Sequence, residues 1–341
     1  MRRRVFLGVC GGALALAPRA VRASGGLDIG DPVATHAMRV LLADDDGRTR
    51  PQTIDDSRFA WNGRSYRGQV QFVPLPNGRT GIVNVVPLDA YLYGVVTKEV
   101  GAGWPRAALE AQAIVARTYA LGKLRPDRPY DVVASSSDQV YGGIEGETVE
   151  ARDAVDATAG TAVTYRNAPA QVAFSSCCGG HSESSADAWG GAFAYLNGVV
   201  DPYCADSPEY RWHREIAYDV AAHALGRQLA GIGDLARVDL RDPDASGRPR
   251  TVALVGTSGE STLKTSAFRS ALGASSVRST FLRSVNVVRE GSAPGTVAID
   301  GNGNGHGVGM CQWGARGLAA IGADAAAIVA FYFPTTVLGS A

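Results

Sequence analysis

The segment from Asn84 to Leu124 decides the fold, and it reads NVVPLDAYLYGVVTKEVGAGWPRAALEAQAIVARTYALGKL. It predicts two helices that begin at Pro87 and Pro105, because a first helical position needs no backbone N–H. The glycine-rich sequence around residues 101–104 favours a bend between the helices, since glycine disfavours a continuous helix. We expect this bend to carry one carboxylate, Glu99.

The second predicted helix has one buried face. Leu109, Ala113, Ala116 and Ala120 recur at the i, i+4, i+7, i+11 spacing of an apolar helix face. A single Glu beside such a helical pair is usually an exposed structural residue. Here the bend also carries Trp104, which favours a site.

Three polar or glycine-rich blocks lie farther along the chain. They read DVVASSSDQVYGG (131–143), FSSCCGGHSESSADAWG (174–190) and GNGNGHGVGMCQWGARGLA (301–319). Gln139 and Tyr141 in the first block have side chains suited to bind a substrate by hydrogen bonds and stacking, and loop packing is the alternative. His306 and Gln312 in the last block are candidates for the wall of a cleft, and a buried structural His is the alternative.

Together these segments resemble the SpoIID/LytB family, the sporulation stage II protein D and amidase-enhancer proteins of bacterial cell-wall remodelling. The resemblance covers roughly residues 80 to 338 and is strongest in YLYGVVTKEV, WP and ALEAQAIVARTYA. It implies an α+β fold with one or two lobes. In this fold a helical pair carries the catalytic loop, beside several short antiparallel strands.

The resemblance also implies a reaction. In catalytically active members the Glu that corresponds to Glu99 is the acid/base of a lytic transglycosylase, which cleaves the bond between N-acetylmuramic acid and N-acetylglucosamine, including in strands stripped of peptides. One carboxyl group suffices, because the muramoyl 6-hydroxyl attacks its own anomeric carbon and leaves a 1,6-anhydro end. The alternative is a non-catalytic glycan-binding protein that enhances a cell-wall amidase. The expected partners are peptidoglycan glycan strands and, under the alternative, that amidase.

Arg117 corresponds to the Arg of the family's A-R-T-Y sequence. The resemblance makes it a candidate to hold a substrate carboxylate or hydroxyl. An ion pair with Glu110, two helical turns away, is the alternative.

Four cysteines follow the N-terminal segment: Cys177, Cys178, Cys204 and Cys311. Cys178, His181 and Cys204 are candidate zinc ligands, because cysteine and histidine are the usual ligands of zinc in proteins. An exported chain favours disulfides, so a Cys178–Cys204 bridge is the preferred interpretation, with Cys177–Cys204 as the other pairing. The proposed chemistry needs no cofactor, and zinc would be structural.

The chain divides into an export segment and a folded part. Three arginines at positions 2–4, followed by Val-Phe-Leu and a weak apolar run, resemble a twin-arginine signal over residues 1–23. We therefore expect the periplasm or cell envelope as the location. The folded part is predicted to be a β-rich segment (24–80) and the family domain (81–338), which contains a framework insertion (215–300). Strands are predicted at residues 38–42, 69–73, 238–240, 251–255 and 284–288, a hairpin of residues 161–165 and 171–174 around Arg166-Asn167, and a short helix at 266–272.

Composition excludes several other functions. The formal net charge is zero, which gives no electrostatic case for binding nucleic acid or an anionic membrane. The N-terminal apolar run is too short to span a membrane. The glycine-rich run at 301–309 lacks the Gly-Lys-Ser/Thr of a phosphate loop, which argues against nucleotide binding.

Overall fold

The computed structural model describes residues 36–45, 47, 49–290 and 293–340 of the 341-residue chain. They all belong to the unit Thr35–Ala341. The export segment predicted over residues 1–23 lies outside the described residues. None of the described helices is long and apolar enough to cross a membrane.

The described part of the chain contains eight helices and eighteen mostly short strands. The helices are α1 (Leu88–Val100), α2 (Arg106–Lys123), α3 (Val149–Ala157), α4 (Ser185–Trp189), α5 (Tyr218–Leu229), α6 (Thr265–Leu272), α7 (Gln312–Ala320) and α8 (Ala325–Tyr332). The strands are β1 (Ala37–Asp44), β2 (Gln52–Asp55), β3 (Arg58–Trp61), β4 (Arg64–Arg67), β5 (Gln69–Pro74), β6 (Thr80–Pro87), β7 (Val132–Val133), β8 (Thr161–Tyr165), β9 (Ala168–Pro169), β10 (Phe174–Ser175), β11 (Arg211–Ala217), β12 (Leu235–Pro243), β13 (Pro249–Gly256), β14 (Glu260–Lys264), β15 (Leu282–Glu290), β16 (Ala293–Asn302), β17 (Met310–Cys311) and β18 (Val337–Ser340). This mixture, with mostly antiparallel pairing, confirms the α+β class.

The N-terminal residues form a four-stranded sheet in the order β5-β6-β1-β7. β1 pairs antiparallel with β6, where Val40 lies opposite Asn84, and parallel with β7. The strands expected near residues 38–42 and 69–73 are confirmed as parts of β1 and β5. β6 begins at Thr80 and pairs with β1 and β5, so this sheet joins residues on both sides of the predicted boundary at residue 80.

Both helices of the opening segment are confirmed, with two shifts in position. Pro87 and Pro105 are N-cap residues with ψ angles of 142° and 140°, so each helix begins one residue later than expected. Glu99 lies in the last turn of α1 and not in the bend. Gly101 is the C-cap of this helix, and its φ of 90° suits glycine.

α2 is buried on two sides and joins two hydrophobic cores. Leu109, Ala113, Ala116 and Ala120, the face predicted from the sequence, pack with α1, α3 and the N-terminal sheet. Ile114 and its neighbours pack on another side, against α7 and α8. Residues of α2 near the boundary between these cores therefore reach a surface that both cores support.

Residues 211–302 carry a third core, built on the sheets β11-β16-β15 and β12-β13-β14. The strands and the helix predicted in this region are confirmed as parts of β12, β13, β15 and α6. Phe268 of α6 is fully buried among them. The sequence analysis did not identify α5, whose buried Ala221 and Leu225 lie one turn apart.

One predicted hairpin is only partly correct. Arg166 and Asn167 form its turn with φ angles of 51° and 61°, as expected. The second strand is the two-residue β9, and not residues 171–174. The N–H of Gln171 donates to the Tyr195 hydroxyl at 2.9 Å, which takes the chain away from β8.

Candidate active site

A pocket of about 520 Å³ is lined by the C-terminal parts of α1 and α2. Glu99 contributes from α1, and residues 118–123 contribute from α2. The other walls come from three later parts of the chain, at residues 136–140, 170–176 and 304–306, together with aromatic side chains at its edge. Residues from all three sequence blocks (131–143, 174–190 and 301–319) therefore line the pocket.

Glu99 is partly buried in the pocket wall and accepts two hydrogen bonds. The backbone N–H of Val140 donates to its Oε1 at 2.6 Å, and the side chain of Gln312 donates to the same carboxyl group. Burial raises the pKa of Glu99, the two hydrogen bonds lower it, and the net pKa is above the ordinary value. The group is therefore suited to hold a proton and also to carry the charge left when that proton departs.

Hydrogen bonds of buried side chains fix the loop that presents the Val140 N–H. Gln139 accepts from the Tyr91 hydroxyl at 3.1 Å and donates to the Ala116 carbonyl at 3.3 Å. Tyr141 donates to Asn84 Oδ1 at 3.0 Å. The structure therefore places Gln139 and Tyr141 in the core, where they orient the Val140 N–H toward Glu99. Neither of them reaches the open pocket through these hydrogen bonds.

Gln312 also lies behind the pocket wall and is 4% exposed. It is the first residue of α7, and its amide nitrogen lies 3.5 Å from Oε1 of Gln112 on α2. The second donor to Glu99 thus comes from a helix 200 residues beyond α2 in sequence.

His306 lines the pocket, as the sequence analysis expected of a cleft residue. Its Nδ1 accepts from the Val308 N–H at 3.0 Å, and its ring donates to the Phe174 carbonyl. Burial lowers the pKa of His306 to about 4, so the imidazole is neutral near pH 7. Trp189 packs on its ring at a centroid distance of 5.2 Å.

Comparison with known proteins identifies the family. A family model of the stage II sporulation protein SpoIID matches residues 76–165. Stage II sporulation protein D of Bacillus amyloliquefaciens is 30% identical over 278 residues, which cover 76% of each chain. The chain belongs to the SpoIID/LytB family. An uncharacterised protein of Brachyspira hyodysenteriae is 31% identical, over 81% of this chain and 72% of its own. An amidase enhancer of Bacillus subtilis is 27% identical over 86% of this chain and 47% of its own length.

The segment matched by the SpoIID family model contains Glu99, the α1–α2 pair and the loop at Val140. It ends at residue 165, before His306 in the pocket lining and before Gln312 behind the pocket wall. In this chain the matched segment is therefore the part that presents the carboxyl group.

Arg117, which the SpoIID/LytB resemblance made a candidate substrate ligand, is 1% exposed. It donates to Asp89 Oδ1 at 3.0 Å, to the Thr161 carbonyl at 3.1 Å and to the Val155 carbonyl at 3.0 Å. The alternative of a Glu110 partner is wrong, because Glu110 pairs with Arg106, one turn away, at 2.7 Å. Arg117 thus connects α2 with α1, α3 and β8.

The candidate zinc and disulfide residues only partly come together. The Sγ atoms of Cys178 and Cys204 are 3.6 Å apart, which is longer than the ~2.05 Å of a disulfide bond. The structure thus has them as separate thiols, and the bridge stays a prediction. His181 is directed elsewhere, with its Nδ1 2.7 Å from the Ser182 carbonyl. Cys311 and Asp201 join the two thiols in its place.

Lys123, Asp138 and Trp189 line the pocket and were not identified from the sequence. Asp138 accepts from the Lys123 ammonium at 3.0 Å and from the Tyr119 hydroxyl at 2.8 Å. The one sequence signal for Asp138 as a pocket residue is its position immediately before Gln139 in the block 131–143. The exposure of Trp189, at 55%, depends on the tertiary fold.

Proposed function

We propose that this protein acts on the bacterial cell wall as an exported lytic transglycosylase, with Glu99 as its single acid/base. The observation that carries the proposal is the Glu99 carboxyl group, which has a raised pKa and two directed donors in the wall of a pocket. Relatives named for sporulation and for amidase enhancement support a role in the cell wall. The signal predicted over residues 1–23 supports action outside the cytoplasm.

In the proposed reaction Glu99 first gives its proton to the glycosidic oxygen, and the bond from that oxygen to the muramoyl anomeric carbon breaks. The Glu99 carboxylate then takes the proton of the muramoyl 6-hydroxyl as that oxygen attacks the same carbon. The products are a 1,6-anhydro end and a free 4-hydroxyl, and Glu99 is protonated again. Burial favours the acid before the first step, and the donors from Val140 and Gln312 stabilise the carboxylate after it.

Asp138 is the other carboxyl group among the residues that line the pocket, and its contacts suit it poorly to a second catalytic role. Burial alone would raise the pKa of Asp138, but hydrogen bonds from the Val133 N–H and from Lys123 outweigh it and lower the pKa. Asp138 is therefore an ionised acceptor already paired with a cation. A hydrolase with two carboxyl groups would need the second one to activate water, so this pairing favours the mechanism with one.

Product analysis with the purified protein alone tests the proposal. Incubation with glycan strands, with and without peptides, should release fragments that end in 1,6-anhydromuramic acid, identified by mass spectrometry. Fragments with ordinary reducing ends would instead indicate hydrolysis. The match to an amidase enhancer favours a second candidate, a non-catalytic glycan-binding protein. That protein would release no fragments and would raise the rate of an added cell-wall amidase.

Trp189 is expected to form a stacking surface for a sugar at the edge of the pocket. It is 55% exposed and packs on the partly buried His306. Trp189→Ala should weaken the binding of glycan strands about tenfold, as for a contact worth about 1–2 kcal/mol, and leave the melting temperature unchanged. Ile321→Ala is the matched control, because Ile321 is 69% exposed and does not line the pocket. Equal binding by both variants, in titration calorimetry, would exclude Trp189 from the sugar site.

A further inference from the structure

Three cysteines and one aspartate meet in the core behind the pocket. The ligand atoms of Cys178, Asp201, Cys204 and Cys311 all lie within 4.8 Å of one another. The four residues are at most 1% exposed. They come from the turn after β10, from the short 3₁₀ helix Pro202–Cys204 and its N-cap, and from the N-cap of α7. We call these four residues the thiol cluster.

The spacing within the thiol cluster fits a tetrahedral metal ion better than a disulfide. The Sγ atoms of Cys178 and Cys204 are 3.6 Å apart, and Cys178 Sγ lies 3.1 Å from Asp201 Oδ2. Tetrahedral zinc with bonds of ~2.3 Å to sulfur holds its sulfur atoms about 3.8 Å apart. A bridge between two of the three thiols would leave the third one unused.

The thiol cluster contains a carboxylate that has no cationic side chain as a partner among the described residues. The Asp201 carboxylate is fully buried and accepts from the Tyr332 hydroxyl at 2.9 Å and the Tyr203 N–H at 2.9 Å. None of the ion pairs found in the described part of the chain includes Asp201. The buried Arg248 contacts the Cys178 carbonyl at 2.8 Å, and its charge pairs with Glu183. A buried carboxylate without a cation is costly, and a bound metal ion would remove that cost.

The surroundings of Cys311 resemble those of a metal-bound thiolate. Its sulfur accepts the backbone N–H of Cys178 at 3.2 Å and the N–H of Gly314 at 3.4 Å, at the positive end of α7. A Cβ on Gly314 would lie 1.9 Å from the Tyr332 hydroxyl and 2.3 Å from Asp201 Oδ2. Only glycine therefore lets α7 approach the carboxylate this closely.

We propose that Cys178, Cys204, Cys311 and Asp201 bind one structural divalent metal ion of the zinc class. All four positions of a tetrahedral ion are then filled by buried protein atoms, so the ion has no open position for a substrate. It joins segments up to 133 residues apart. Gln312, which follows Cys311 in sequence, contacts Glu99, so the ion also fixes one wall of the pocket.

Metal analysis of the full chain, purified through a tag that binds no metal, tests this proposal. We expect zinc equimolar with protein after dialysis. Cobalt substitution should give the strong visible bands of a tetrahedral ion and thiolate charge-transfer absorption. Cys204→Ser and Cys311→Ser should lose the metal. Cys177→Ser is the matched control and should keep it, because Cys177 is equally buried but lies outside the thiol cluster.

Tyr332→Phe keeps the test valid if the cysteine variants fail to fold. It removes only the hydroxyl that donates to Asp201, and it should weaken zinc binding about 10–100-fold, measured by competition with a coloured chelator. Alkylation with peptide mapping distinguishes the outcomes that overturn the proposal. These are metal-free protein with a bridge between any two of Cys177, Cys178, Cys204 and Cys311, metal-free protein with all of its thiols reactive after unfolding, and loss of metal from Cys177→Ser.

Discussion

Replacement of Glu99 by Gln should lower the release of 1,6-anhydromuramoyl fragments by about 10²–10⁴-fold, the usual contribution of a general acid/base. The amide keeps an oxygen that accepts from the Val140 N–H, whose bond to Oε1 is 2.6 Å long. It has no proton acidic enough to give to a glycosidic oxygen. Initial rates on purified glycan strands, with fragments quantified by mass spectrometry, measure the loss.

Two variants control for the removal of a charge. Glu110→Gln removes a carboxylate that pairs with the exposed Arg106 and should leave the rate unchanged. Asp138→Asn removes the other carboxyl group of the pocket lining and should preserve the 1,6-anhydro product. In the unmodified protein the rate should fall as the pH rises through the raised pKa of Glu99, because the carboxylate cannot donate. Unchanged product from Glu99→Gln, with folding intact, would falsify the acid/base role.

The sequence was sufficient to predict α1 and α2, because their signals are local. The spacing of Leu109, Ala113, Ala116 and Ala120 identifies a buried face within a single helix, and the structure confirms it. The prolines and glycines that bound α1 and α2 act through their own backbone angles. The second buried side of α2, around Ile114, was not predicted, because its partners in α7 and α8 lie about 200 residues away.

The roles of the polar residues could not be read from the sequence. Gln139 and Tyr141 have side chains that suit a sugar site, and the structure uses them to hold a loop. Their roles depend on which buried hydrogen-bond partner faces each side chain. These partners are set by the packing of α1 and β6 against the loop, and no residue pattern within the loop predicts that packing.

The thiol cluster shows the same limit for metal ligands. The motif Cys178-Gly-Gly-His181 is visible because its members are close in sequence. The carboxylate of Asp201 and the sulfur of Cys311 complete the group only through the packing of α7 on the 3₁₀ helix at residues 202–204. Gly314, which permits that packing, follows Cys311 by three residues and carries no recognisable metal signal of its own.

Replacement of Arg117 by Met should lower the free energy of unfolding by about 3–5 kcal/mol, the usual cost of breaking a buried ion pair by removal of one partner. The variant leaves Asp89 without its cation and the carbonyls of Val155 and Thr161 without this donor. For a chain of this size the melting temperature should fall by roughly 10 °C. Urea denaturation and calorimetry measure both quantities.

Arg106→Met is the matched control, since it removes an arginine from the same helix α2. The Arg106 side chain is 74% exposed and pairs with Glu110 at 2.7 Å, so its loss should leave the free energy of unfolding nearly unchanged. The pair of variants also separates a framework role from a substrate role for Arg117. If Arg117 held a substrate carboxylate, Arg117→Met would raise KM with little change in stability. Because all its contacts join α2 to α1, α3 and β8, we expect the stability to fall, with KM unchanged at temperatures where the variant stays folded.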